Sequence, residues 1–257
     1  MKYNEISTNK VVETMMNHRS IRKYSDRQVS KEDLTAIIRS AQAAPSWVNG
    51  QHVTIISIND LKRRKKMAEL AGNQKYIVEA PVFLVFCADF HRIKVACEME
   101  EIDFKSEVNP DLLIVGSVDV GISLASAITA AESLGLGTVP IGGIRRSPLE
   151  FIELLELPEY VIPVSGLCIG YASEIPDQVP RLPMEAIFHE ERYNENIHEE
   201  IKGFNHLHLE ATKGRNSGGS TWTQRMANFY KDPFYLNNGY KDVGKMLEQQ
   251  GFRKGNL

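Results

Sequence analysis

The chain has 257 residues, 42% hydrophobic and 25% charged, an ordinary globular composition that is ample for one sizeable core and unlike disordered or collagen-like chains. A formal net charge of -3 and a pI near 6.2 argue against a nucleic-acid protein, which needs a basic surface, and give no reason to expect an anionic membrane as partner. The three cysteines, Cys87, Cys97 and Cys168, are odd in number and widely spaced, and no apolar leader follows Met1, so a reducing cytoplasm is the expected compartment.

Val11, Val12, Met15 and Met16 stand at helical spacing and predict a helix that runs into His18-Arg19-Ser20-Ile21-Arg22. Three potential cations and a hydroxyl within five residues suit a phosphate, since arginine clamps it in bidentate fashion and serine adds a donor. Equally, cations gather at a helix C-terminus to offset its dipole without any ligand. Ser30-Lys31-Glu32-Asp33 is a capping-box pattern, and Leu34, Ile37, Ile38 and Ala41 give the helix it opens one core face, ending near Ala44-Pro45. Ser46 to Gln51 then forms a polar loop with one aromatic, Trp47, before a strand at His52 to Ile58. Such loops often wall pockets, although a lone Trp more often packs. The next helix, Asp60 to Leu70, carries Lys62-Arg63-Arg64-Lys65-Lys66, read as a solvated face. Gly72 to Tyr76 leads into Pro81 to Ala88, a continuous apolar run of strand length that predicts a central strand, with Cys87 an inert core thiol.

The stretch from Asp111 to Arg146 organises the rest. Leu112 to Ala131 holds one charge, Asp119, among many Gly, Ser and Ala, which predicts a helix enclosed on all sides. At ~1.5 Å per residue it runs about 33 Å, enough to cross a domain or a bilayer. Acidic flanks, the lack of nearby Lys or Arg and the absence of a comparable segment speak against a membrane span. Its small residues favour packing against its own copy in a homodimer, with an intrachain core helix as the plainer reading. Gly135 and Gly137 end it, Thr138 to Ile141 reads as a buried strand, and Gly142-Gly143-Ile144-Arg145-Arg146 turns the chain. Adjacent glycines permit positive φ, so N–H groups could converge on a phosphate or carbonyl oxygen beside the arginines; a simple connector has the same look.

Ser147-Pro148-Leu149-Glu150 opens a helix to Leu157. Val161 to Gly170 is another strand, with Pro163 and Gly166 suggesting an edge or a bulge. Pro176 to Pro183 is extended and presents Arg181, and the more polar remainder from Met184 reads as a helical appendage. His206 and His208 form an HxH whose side chains diverge on a helix, so no metal site is expected.

HRSIRKYSD at 18 to 26, GNQKYIVEAPVFLVFCADF at 72 to 90, AAESLGLGTVPIGGIR at 130 to 145 and PVSGLCIGYASEIPDQVPRLP at 163 to 183 resemble, in order and spacing, the NADPH-dependent FMN nitroreductase and flavin reductase family. The resemblance covers nearly the whole chain and selects the nitroreductase A or flavin reductase P branch. It implies an α+β, nitroreductase-like fold with a central, mainly antiparallel sheet flanked by helices, a long dimer-interface helix and a C-terminal helical arm. It further implies one domain over 1–257, with 184–257 a helical extension, and a homodimer with two FMN sites built between subunits. The third glycine of a Rossmann fingerprint is missing after Gly135 and Gly137, in agreement. NADPH, or NADH, would reduce FMN and leave before a small-molecule acceptor takes its place, a ping-pong scheme that needs no side-chain acid or base.

By the same resemblance, His18, Arg19, Ser20 and Arg22 match FMN phosphate and flavin contacts, and Ser46 a polar loop contact, although Pro45 and Trp47 depart from the usual Ser/Thr-rich run. Gln74 and Tyr76 fall at ribityl and ring positions. Ile141, Gly142 and Gly143 match the backbone wall beside the ring, with Arg145 close behind. Arg181 matches an arginine of a Lys-Pro-Arg segment whose lysine is here Val179, a change expected to lower the flavin potential or slow its reduction. Lys213 and Arg215 remain candidates for the NADPH 2′-phosphate, while Gly218 and Gly219 replace arginines, and Asp232 makes the acceptor pocket more acidic. Two other readings stand beside the enzyme: a flavin sensor or store with little turnover, and a helical dimerisation protein.

Overall fold

The computed structural model describes residues 7–104, 110–213, 219–231 and 239–252. Strand β2 (Val82–Asp89) has no polar face to offer water, and all eight of its residues are buried. It pairs antiparallel with β1 (Val53–Ser57) on one side and with β4 (Val161–Gly170) on the other; β3 (Gly137–Ile141) pairs antiparallel with the far side of β4, giving the order β1-β2-β4-β3. The expected central, antiparallel sheet is therefore present. Both readings of β4 hold locally: the strand carries a bulge, and at Pro163 it pairs with β2 alone, since β3 reaches only Gly166 to Gly170. Phe86 opposes Ser165 and Cys87 opposes Pro163, so Val164 is the extra residue of a bulge inside an inner strand, where the N–H that Pro163 lacks is not needed for the ladder.

Alternate residues of β2 face two cores. Leu84 and Phe86, with Leu167 and Ile169 of β4, pack against α2 (Lys31–Gln42) and α6 (Asp111–Ser133). Phe83, Val85 and Cys168 pack against α3 (Leu61–Leu70), a short α4 (Tyr76–Glu79) and α7 (Pro148–Leu155). Burial of each such side chain is worth about 1.5–3 kcal/mol. Burial also pushes the Cys87 thiol up to about 12, as an inert core thiol requires. Helix α2 starts as its sequence predicts, with Ser30 Oγ accepting from Asp33 N–H at 2.9 Å. Helix α5 (His91–Met99) was not foreseen; Asp89 Oδ1 accepts from its first amides, His91 N and Arg92 N.

The basic run of α3 corrects the sequence reading. Arg64 is buried and donates to the carbonyls of Ile58 (2.6 Å), Ala80 (2.5 Å) and Pro81 (3.2 Å), while Arg63 reaches Leu154 O. Arg64 thus satisfies carbonyls left over where strands end and Arg63 one in the last turn of α7, while the rest of the run, Lys62, Lys65 and Lys66, is exposed.

Two compact units divide the chain: 1–176 with 239–257, and 177–238. The polar C-terminal stretch, expected as one extension, is split between them. The second unit holds α8 (His198–Thr212) and α9 (Trp222–Tyr230), the latter opened by a capping box of Thr221 and Gln224. In the first, α10 (Val243–Gln249) buries Met246 in the core under α6.

Helix α6 spans 23 residues and is, among the described residues, the helix long and apolar enough to cross a membrane. One third of its most apolar window is buried within the chain, where it packs on α2 and the sheet. Ile114 and Val118 point outward, 62% and 51% exposed.

Candidate functional site

Helix α1 (Lys10–Met16) begins at Asn9, whose side-chain oxygen accepts from Val11 and Val12 N–H. Past its end, His18 Nδ1 lies 2.7 Å from Glu132 Oε1 in the last turn of α6, and the same oxygen accepts from Thr138 Oγ1 at 2.7 Å. A carboxylate in the last turn opposes the helix dipole, and α6 has no basic residue there; His18 and Thr138 compensate it from other elements. Ser20 bridges to Thr138 in parallel, and Ile21 N–H donates to Thr138 O at 2.8 Å. The segment therefore covers part of the free edge of β3 and holds its cations against the end of the sheet.

Arg19 Nη1 donates to Asn17 O at 2.7 Å, and the side chain lines a groove of about 1110 Å³ between α1 and α6. The Arg22 guanidinium lies 6.0 Å from the Tyr76 ring centroid. Neither arginine forms an ion pair with a described carboxylate. Tyr76 O–H donates to Gln74 Oε1 at 2.6 Å, and Gln74 Nε2 donates to Ala71 O at 2.8 Å. Burial pushes the Tyr76 phenol above its ordinary value, with Arg22 pulling the other way.

Gly142 to Arg146 form a single 3-10 turn directly after β3. The sequence allowed positive φ at Gly142 and Gly143; neither uses it. Gly143 is required by close approach instead, because a Cβ there would lie 2.4 Å from both Ala71 O and Gln74 Nε2. Arg145 Nη1 donates to Val164 O at 2.8 Å, the carbonyl at the β4 bulge. Arg145 thus braces the turn through the backbone. Ile141 is buried.

The structure therefore brings His18, Arg19, Ser20, Arg22, Gln74, Tyr76, Ile141, Gly142, Gly143 and Arg145 to the end of the sheet around β3. Ser46 lies elsewhere in the same unit: Ser46 Oγ accepts from Gln51 N–H, and its neighbour Trp47 bonds to Asp119. Asp119 and Glu132 are about 20 Å apart along α6 at ~1.5 Å per residue. In the second unit, Arg181 Nη1 donates to Val179 O at 3.0 Å and Lys213 pairs with Glu210 at 2.6 Å. Arg215, Gly218 and Asp232 lie outside the described residues. Among the described residues no cluster could hold a metal ion.

Sequence reading passed over the residues that hold these positions. In the sequence Asp119 is a lone charge in an apolar helix, and nothing singles out Glu132 from the other acids. The signal was the carboxylate itself, since an acid in an apolar helix needs donors from somewhere.

The family model for the nitroreductase family matches residues 15–171, and the model for that family's C-terminal domain matches residues 180–255. The Bacillus subtilis protein named FMN reductase [NAD(P)H] is 47% identical over 251 residues, 95% of this chain and 98% of its own length. The structure of B. megaterium NfrA2 superposes with a TM-score of 0.91 at 48% identity, covering 97% of this chain and all of that one. The Vibrio harveyi NADPH:FMN oxidoreductase, solved in complex with NAD+, gives a TM-score of 0.85 at 32% identity over 95% of this chain and 98% of that one. The chain belongs to the nitroreductase family. Within it, the match to the C-terminal domain and the similarity to these flavin reductases put it in the nitroreductase A and flavin reductase branch.

Proposed function

We propose that the protein is an FMN-containing oxidoreductase that takes hydride from NADPH, or NADH, and delivers reducing equivalents to a small-molecule acceptor, working as a cytoplasmic homodimer. The observation that carries this reading is the pair of guanidinium groups, Arg19 and Arg22, without ion-pair partners among the described residues, set beside Ser20 and the Gly142–Gly143 turn in a chain of this family. Their chemistry fits FMN: a phosphate needs cations and hydroxyls, and a flat ring with a polar edge needs a tight backbone wall with amide and phenol groups beside it.

FMN, when bound, supplies the hydride acceptance and donation. The chain's own part is to bind and orient. His18, Arg19 and Ser20 hold the phosphate, while Arg22, Gln74 and Tyr76 orient the ribityl chain and ring. Ile141 to Gly143 wall one side, with Arg145 bracing that wall. The family resemblance assigns Arg181 to the flavin and Lys213 and Arg215 to the nucleotide 2′-phosphate; Arg181 and Lys213 belong to the second unit, and Arg215 lies outside the described residues. Nucleotide and acceptor use one place in turn, giving ping-pong kinetics. Ser46, held far along α6 from Glu132, supports a site completed by a second copy, and the outward Ile114 and Val118 of that helix suit such packing.

The purified protein should take up one FMN per chain, and anaerobic NADPH should bleach it, faster than NADH. A flavin that binds and stays oxidised would favour storage over turnover, with Val179 the residue to restore to lysine. A protein that takes up no FMN would overturn the reading.

A further inference from the structure

The loop from Ser46 to Gln51 is built at a conformational cost. Val48, Asn49 and Gln51 have φ of 45°, 57° and 53°, a region that Asn tolerates but that is costly for Gln51 and most of all for the β-branched Val48. Packing within the chain does not repay it, since Trp47 and Val48 are 56% and 73% exposed in the single protomer. The conformation is imposed by bonds from outside. Asp119 Oδ1 accepts from Trp47 N–H at 3.1 Å, and Asp119 Oδ2 takes His52 Nδ1 at 2.8 Å. His52 stacks on Phe90 with ring centroids 4.6 Å apart, and its ring fills the space where a Cβ on Gly50 would stand. Arg92 Nη1 holds Gln51 O at 2.8 Å.

Asp119 is 2% exposed in a helix long and apolar enough to cross a membrane. Desolvating such a carboxylate cancels most of what its partner returns, so a buried pair of this kind adds little to stability over two well-packed apolar side chains. What it does supply is position. We infer that Asp119, braced by His52, is a positioning residue that fixes Ser46 and Trp47 in the one conformation in which they serve the flavin site. The catalytic part of this inference rests on the function proposed above.

The test uses the two tryptophans, Trp47 and Trp222. In a Trp222→Phe background, emission anisotropy and acrylamide quenching report Trp47 alone, with no cofactor present. The variant that decides is Asp119→Leu combined with His52→Phe, which keeps the interior filled and removes both bonding groups. It should melt no lower than its parent, yet lower the Trp47 anisotropy and raise KM for acceptor and nucleotide alike roughly tenfold or more. Asp119→Asn, which keeps an oxygen for Trp47 N–H, should restore both values. Parental anisotropy and KM in the double variant would overturn the inference, as would a double variant that fails to fold, because the pair would then be holding the core. Parent protein that binds no FMN would remove the proposed function; anisotropy would still decide whether Asp119 fixes the loop.

Discussion

Helix α6 grips two loops with the same chemistry, a histidine Nδ1 against a carboxylate, in two different surroundings. At Asp119 and His52 the side chains are 2% and 4% exposed; at Glu132 and His18 they are 12% and 26% exposed. Burial decides what each pair can do. In the interior neither partner can be rehydrated, so the pair fixes backbone. At the partly exposed end water can replace one partner, so the pair is free to aim a ring beside a candidate anion site.

The largest expected effect separates them on stability. Asp119→Ala strands His52 and Trp47 N–H and should lower the unfolding free energy by about 3 kcal/mol in urea melts. Glu132→Gln should cost about 1 kcal/mol or less, and equal losses would erase the distinction. The second effect runs the other way on ligand binding. Glu132→Ala should weaken FMN about tenfold by fluorescence titration, roughly the worth of one charge-assisted hydrogen bond, with the melting curve little changed.

A third pair sharpens the comparison through pH. Burial pushes Asp89 up, but hydrogen bonds from Thr54 and Arg92 and the charge of Arg92 outweigh it, so its folded value lies below the ordinary one. A lowered carboxylate contributes stability that is complete above the ordinary carboxylate range and is lost as pH falls through the folded value. Asp89→Asn should therefore be less stable than wild type at pH 7, with the gap closing in melts below about pH 4. The smallest effect concerns the second unit: Lys213→Ala should raise KM for NADPH severalfold and leave KM for NADH unchanged in steady-state assays, as loss of one exposed phosphate contact would.

The same contrast explains what the sequence disclosed. Patterns local to the chain were legible: the unbroken apolar run of β2, the Ser30 N-cap of α2, the small-residue stretch of α6, and the cluster from His18 to Arg22. Features that depend on which carbonyl or carboxylate waits at the other end of a side chain were not. Arg64 looked like one more solvated cation until three strand-end carbonyls were found around it. Helix α5 depends on Asp89 at the end of β2, a cap that an apolar strand does not advertise. Pro163 signalled a broken ladder, but an edge and a bulge break it alike, and only the register shift against β2 places the bulge at Val164. His18 and Glu132 are 114 residues apart and His52 and Asp119 are 67 apart, separations across which spacing rules say nothing.

The most direct test of the account is a parallel titration of the apoprotein with FMN and with riboflavin, in wild type and in Arg19→Ala combined with Arg22→Ala. The account predicts that wild type prefers FMN by a hundredfold or more, on the order of two charge-assisted contacts to phosphate, and that the double variant loses that preference while keeping its fold. Equal affinity of wild type for the two flavins, or an undiminished preference for FMN in the double variant, would contradict it.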